Sequence, residues 1–195
     1  MWFQGSYYVS LDTEFISNNL TRTGTLSIGL ATEEHRAYGV NGLADTEMRG
    51  LDPDSKEWMR ANVWPHLPGG SPENFDRSNS AVATPEGLAN LAENFFGKVM
   101  DEVNHDMDKV VVVALCGAQD MVRLHGLWDH NWAMMPRVIP NWFRDIADMR
   151  RRAHLSSDQL PVRKSGEHHA LLDAVHQLDQ VRFILENDPM NEEVF

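Results

Sequence analysis

Val9-Ser10-Leu11-Asp12-Thr13-Glu14-Phe15 is an apolar run near the start of a 195-residue chain, and it ends in two acids separated by one residue. The run predicts a strand. Successive strand side chains alternate between faces, so Asp12 and Glu14 project to the same side, roughly 7 Å apart along the pleat. Two carboxylates so placed repel each other. Water relieves the repulsion at a strand end, which is the ordinary fate of an Asp-x-Glu. In a buried setting a cation must sit between them, and hard carboxylate oxygens suit Mg²⁺ or Mn²⁺ rather than zinc. What else the fold brings to that face decides between the two.

Two later stretches place acids in comparable positions. Lys109 to Leu115 is a second apolar strand candidate, followed by Cys116-Gly117-Ala118-Gln119-Asp120. Glu167-His168-His169-Ala170-Leu171-Leu172-Asp173-Ala174 opens a C-terminal helix with an acid one turn inside it. Asp12, Glu14, Asp120 and Asp173, with a histidine five residues before the last, resemble the DEDD superfamily of 3′-to-5′ exonucleases in its histidine-containing branch. The resemblance runs from Tyr8 to about Leu185. It looks closest to the small actinobacterial polyadenylate-specific 3′ exoribonucleases, on Asp12-Thr13-Glu14-Phe15 with Ser27-Ile28-Gly29, on Trp58, Arg60, Val63, Pro65, Leu67 and Pro68, and on Gly117-Ala118-x-Asp120 with Leu127-Trp128. Phe15 stands where many of the larger family have a threonine, and Gly117-Ala118-Gln119 where an Asn and a Phe often flank the acid. Both departures point away from the DNA-proofreading and ribonuclease T types.

The resemblance implies an α/β, ribonuclease H-like fold: a mixed sheet of an antiparallel meander plus parallel strands, flanked by helices. It implies two Mg²⁺ or Mn²⁺ ions held by Asp12, Glu14, Asp120 and Asp173, with Asp12 bridging, Glu14 and Asp173 on the nucleophile-side ion and Asp120 on the other through water. His168 is then the general base. Phe15 packs in the core if the strand continues, and stacks on the terminal base if the backbone turns there. The implied activity is two-metal hydrolysis of single-stranded RNA from its 3′ end to nucleoside 5′-monophosphates. The alternatives are the same fold acting on DNA ends or short oligonucleotides, and a non-catalytic nucleic-acid-binding protein. For the histidine pair, helix geometry alone favours His169, which at four residues before Asp173 lies about 40° away around the axis, against about 140° for His168. The family pattern selects His168. Both hold if the helix begins at about His169, leaving His168 on the preceding loop.

Composition bounds the rest. The chain length suits one domain with a full core, predicted over 7–188, with 1–6 as a tag remnant or disordered start and 189–195 as a tail. No run approaches the roughly 20 apolar residues of a membrane span, and Met1-Trp2-Phe3-Gln4-Gly5-Ser6 has no secretory pattern. With one cysteine, Cys116, no internal disulfide can form; the expectation is a cytoplasmic protein with a buried structural thiol. Seventeen basic against 29 acidic residues, a net charge of −12, argue against a large duplex-binding surface but not against metal-mediated grip on one strand end. Expected partners are RNA 3′ ends and the mononucleotide product, no membrane, and a homodimer left open. The nine histidines show no His-x-x-x-His or His-Glu-x-x-His, which removes zinc hydrolase readings.

Strands are predicted at Tyr7–Thr13, Gly24–Thr32, His35–Val40, 109–115 and Asn141–Arg144. Helices are predicted from Asp54 or Ser55 to Asn62, from a Thr84 cap through Val99, from Ala118 to Trp128 with Val122, Leu124 and Leu127 inward, from Asp145 to His154, and from His168 or His169 to Asn187. Residues 66–84 lack any period and read as a mobile loop, either a substrate lid, a partner contact or a functionless insertion. Arg144, Arg150, Arg151, Arg152, Arg163 and Lys164 are the concentrated positive charge, read first as a solvated face and, from their place just before the histidine motif, alternatively as where a strand of phosphates enters.

Overall fold

The computed structural model describes residues 1–163 and 165–189. Its elements in chain order are β1 (Trp2–Phe3), β2 (Ser6–Phe15), β3 (Thr25–Ala31), β4 (Arg36–Asn41), α1 (Ala44–Glu47), α2 (Pro53–Asn62), β5 (Val82–Ala83), α3 (Pro85–Glu102), β6 (Val110–Ala114), α4 (Ala118–Gly126), β7 (Arg144–Asp145), α5 (Ile146–Arg152) and α6 (Ala170–Glu186). The strands form one sheet in the order β5-β4-β3-β2-β6-β7, with β1 beside β2. β2, β3 and β4 are the antiparallel meander, while β6 runs parallel to β2 and β7 parallel to β6. This is the mixed α/β architecture expected of a ribonuclease H-like chain.

Alternation along β2 builds the layers. Tyr7, Val9 and Leu11, with Ile28 and Leu30 of β3, pack under Leu88, Phe96 and Val99 of α3. Tyr8 and, from β6, Val111 and Val113 face the other way, against Ile146 of α5 and Ala174, Leu178 and Val181 of α6. Each such fully buried side chain contributes about 1.5–3 kcal/mol. Thr84 caps α3 by accepting from the Gly87 amide, with Pro85 at the first position. α2 starts slightly earlier than predicted because Asp52 is its cap, accepting from the Ser55 amide. The acids of β2 lie on the α6 side. There α6 crosses β3 at Gly29, where a Cβ would lie 2.2 Å from the Ala170 carbonyl carbon. Only glycine lets the helix carrying Asp173 come that close to the sheet.

Several expectations change. The start of the chain is ordered: Gln4 and Gly5 both have positive φ, which gives the tight turn that strand twist favours, and Trp2 pairs with Tyr7. The Met1 amino group donates to the Tyr8 carbonyl at 3.0 Å. The 66–84 stretch is pinned, not loose, because Leu67 and Phe75 are buried with Trp64, and Val82–Ala83 pairs with β4. Isolated apolar residues anchor a loop without showing a period. Cys116 is exposed. In α4 Leu124 is buried as predicted, but Val122 is only half-buried while its neighbour Arg123 is fully buried. The final strand is only Arg144–Asp145. Lys164 and residues 190–195 of the expected tail lie outside the described residues. Among the described residues, no helix is long and apolar enough to cross a membrane.

Candidate active site

β2 delivers Asp12 and Glu14 to one face, and the first turn of α6 delivers Asp173 opposite them. One carboxylate oxygen from each of Asp12, Glu14 and Asp173 lies within 4.8 Å of the other two. Asp120 reaches the same region from the first turn of α4. Its Oδ1 accepts from the Thr13 amide at 2.8 Å and from Thr13 Oγ1 at 2.7 Å, so one oxygen is fixed by β2 itself. Asp12 is fixed in turn by a buried relay: Ser10 Oγ donates to Gln177 Oε1 at 3.0 Å, and Gln177 Nε2 donates to Asp12 Oδ1 at 2.8 Å. All four acids line one open cleft of about 590 Å³, together with Phe15, Arg163, His168 and His176.

The electrostatics are those of an acidic cluster that a single guanidinium, Arg163 on Asp173, compensates only in part. Burial, then the charges of Asp120, Asp173 and Glu14, hold the Asp12 carboxyl well above the usual range. Burial, then Asp173 and Asp120, push Glu14 up to about 8, and burial pushes Asp120 up to about 7 despite its bonds from Thr13. Burial also raises Asp173, an effect that the Arg163 guanidinium on its Oδ1 opposes. An all-oxygen donor set, mutual repulsion and a guanidinium already resting on one member together fit a hard divalent cation. Folded-state pKa values above the unfolded carboxylate range mean that the folded protein keeps protons the unfolded chain has released. The stability that these acids contribute without metal is therefore fully present below about pH 4 and is lost as pH rises toward the folded values near 7 and 8. Thermal melts in EDTA are expected to decline across that window, and saturating Mg²⁺ to flatten the decline; equal slopes with and without Mg²⁺ would contradict this.

His168 lies on the loop before α6, with φ of 63°, and His169 is the residue that caps the helix. His168 Nδ1 stands 3.7 Å from Glu14 Oε1, and its ring meets Trp58 edge-on at 5.0 Å. His169 turns away, stacked on Tyr38 at 4.5 Å, with Nδ1 buried and unpartnered. Phe15 borders the cleft, and the Arg123 guanidinium lies 4.4 Å from its ring centroid while donating to the Asn19 and Ser17 carbonyls. Gln177 and Arg123 escaped the sequence reading, and Arg163 entered it only as one member of a basic cluster. Gln177 carried the one available signal, its position one turn beyond Asp173 on the same helix face. Of the basic cluster, Arg151 and Arg152 are exposed and paired with Asp148, as a solvated face would be. They border a separate cavity of about 1040 Å³ that holds none of the four acids.

No protein-family model matches the chain. Two curated proteins are similar to it, both named 3′-5′ exoribonuclease and drawn from two strains of Mycobacterium tuberculosis. Each is 30% identical over 178 residues, covering 91% of this chain and 92% of the relative.

Proposed function

The chain belongs to the DEDD-like 3′-5′ exoribonucleases related to these mycobacterial proteins, and from that premise we propose that it is a metal-dependent enzyme that shortens single-stranded RNA from the 3′ end. The convergence of Asp12, Glu14 and Asp173 within 4.8 Å, beside a loop-borne histidine, is the observation that carries the reading. Asp12, Glu14 and Asp173 would hold one Mg²⁺ or Mn²⁺ ion, and Asp12 with Asp120 a second. Bound ions would neutralise the acids and the phosphodiester and stabilise the attacking and leaving oxygens of an in-line displacement.

The chain's own residues supply the remainder. His168 accepts a proton from the attacking water, whose oxygen bonds to phosphorus as the bond to the penultimate 3′ oxygen breaks. That oxygen takes up a proton and becomes the new 3′ hydroxyl, and a nucleoside 5′-monophosphate leaves. Gln177 holds Asp12 and Thr13 holds Asp120, so the two acids need little reorganisation. Phe15, backed by Arg123, offers a face on which the terminal base can stack, a contact worth about 1–3 kcal/mol. The net charge of −12 gives the protein little means of opening a duplex.

The test is an assay on 5′-labelled oligonucleotides. Stepwise shortening of single-stranded RNA in Mg²⁺ or Mn²⁺, its loss in EDTA, and resistance of base-paired ends are expected. Oligoadenylate and oligouridylate arms test the polyadenylate preference that the branch resemblance suggests. Faster cleavage of DNA or blunt duplex, cuts in a circular substrate, or full turnover in EDTA would refute the proposal.

A further inference from the structure

Arg163 sits where a cation is wanted. Its Nη1 donates to Asp173 Oδ1, its Nη2 to the Gly166 carbonyl, and its Nε to the Ser165 carbonyl at 2.7 Å. The side chain is 11% exposed against 21% for Asp173. The loop is shaped around it: Gly166 has φ of 84°, and a Cβ there would lie 3.0 Å from Arg163 Nη2. The same loop carries His168. Among the described residues lining the cleft, Arg163 is the only Lys or Arg, and the other charged groups facing it are the acids and the histidines.

We infer that Arg163 is an exchangeable counter-cation, which occupies Asp173 while the centre lacks a divalent ion and moves to an RNA phosphate when one binds. The inference rests on the metal-dependent nuclease reading. A single positive charge within a few ångströms of a divalent ion raises that ion's energy, so the two compete for Asp173. A guanidinium displaced from its carboxylate needs another anion, since an unpaired charge at so sheltered a position is costly. The anion delivered to this cleft is the phosphodiester, and the planar fork of Arg fits phosphate as it fits carboxylate. The exchange thus couples metal loading to the grip on the substrate.

Calorimetric titration of the full chain with Mn²⁺ is expected to show Arg163→Gln binding at least about tenfold more tightly than wild type. At saturating Mn²⁺ the same variant should raise KM for single-stranded RNA about tenfold with kcat little changed, and Arg163→Lys should keep Mn²⁺ affinity near that of wild type, because it keeps the charge. Equal Mn²⁺ affinity in wild type and Arg163→Gln overturns the inference, and so does tighter metal binding with an unchanged KM. No Mn²⁺ binding by wild type overturns the nuclease reading and the inference with it. Should Arg163→Gln fail to fold, guanidinium NMR of the wild type decides: restricted Arg163 signals, assigned by their absence in Arg163→Lys, must become mobile on Mg²⁺ saturation, and their persistence refutes the exchange.

Discussion

Asp12→Asn is expected to lower RNA hydrolysis by at least about 10³-fold while the protein melts, without metal at pH 8, no lower than wild type. The first half follows from position. Asp12 stands in the cluster with Glu14 and Asp173 and lines the same cleft as Asp120, which makes it the acid proposed for both ion sites. Removing its charge removes ion binding, not a packing contact. The second half follows from burial. Asp12 is held by Gln177 through Oδ1, which an asparagine retains, so the Ser10–Gln177 relay survives the change. What disappears is a carboxyl whose ionised form burial and the neighbouring acids oppose, a source of repulsion and not of stability when no cation is present. The expected signature is thus an inactive protein with normal or improved folding, whose melting temperature gains far less from Mg²⁺ than that of wild type. Activity within tenfold of wild type, or a clearly lower melting temperature in EDTA, would show that Asp12 is a structural residue.

That dissociation of fold from chemistry mirrors what could be read from the chain. Period-two alternation placed Asp12 and Glu14 on one face, and the structure puts that face against α6, because Tyr8 and Ser10 before them already point there. Asp120 and Asp173 were legible as acids one turn inside helices, and the tension between helix geometry and family pattern placed His168 on a loop. What stayed hidden was held by contacts remote in sequence. Ser10 meets Gln177 across 167 positions, and Arg123 reaches back over 104 to Asn19. A buried arginine contradicts the rule that charges face water, so a helix-face reading preferred Val122 to Arg123. Leu67 and Phe75 fix the 66–84 stretch in the core, yet lie too far apart in a Gly- and Pro-rich run to show a period.

Arg163 illustrates the same limit at the site itself. As one of six basic residues it read as part of a solvated face or of a phosphate entry, because counting charge along a chain cannot say which cation turns inward. The loop carbonyls of Ser165 and Gly166 turn it, through a left-handed glycine whose meaning appears only once the guanidinium is in place. Local geometry, not composition, makes the distinction.

His168→Ala is expected to lower turnover by roughly 10²-fold or more, and His169→Ala to do much less. The two rings leave adjacent residues in different directions. His168 has left-handed backbone, points its Nδ1 toward Glu14 and remains 36% exposed on the cleft side, where a water next to the substrate phosphate can reach it. His169, as the helix cap, lies in the wall: its ring stacks on Tyr38, and burial holds its pKa below the ordinary imidazole value. Its Nδ1 is buried without a partner and faces away from the acids, so the ring is not placed to take a proton from a water in the cleft. Its loss leaves a gap against Tyr38, so the cost of His169→Ala should appear as stability, on the order of 1–3 kcal/mol, with turnover within a few-fold of wild type. For His168→Ala the cost should instead fall on kcat with the melting temperature nearly unchanged, since the ring's edge-on contact with Trp58 lies at a half-exposed rim. Single-turnover rates on a short RNA at saturating Mn²⁺, paired with thermal melts, separate the two. Equal losses of turnover, or a larger loss at His169, would overturn the assignment of the base.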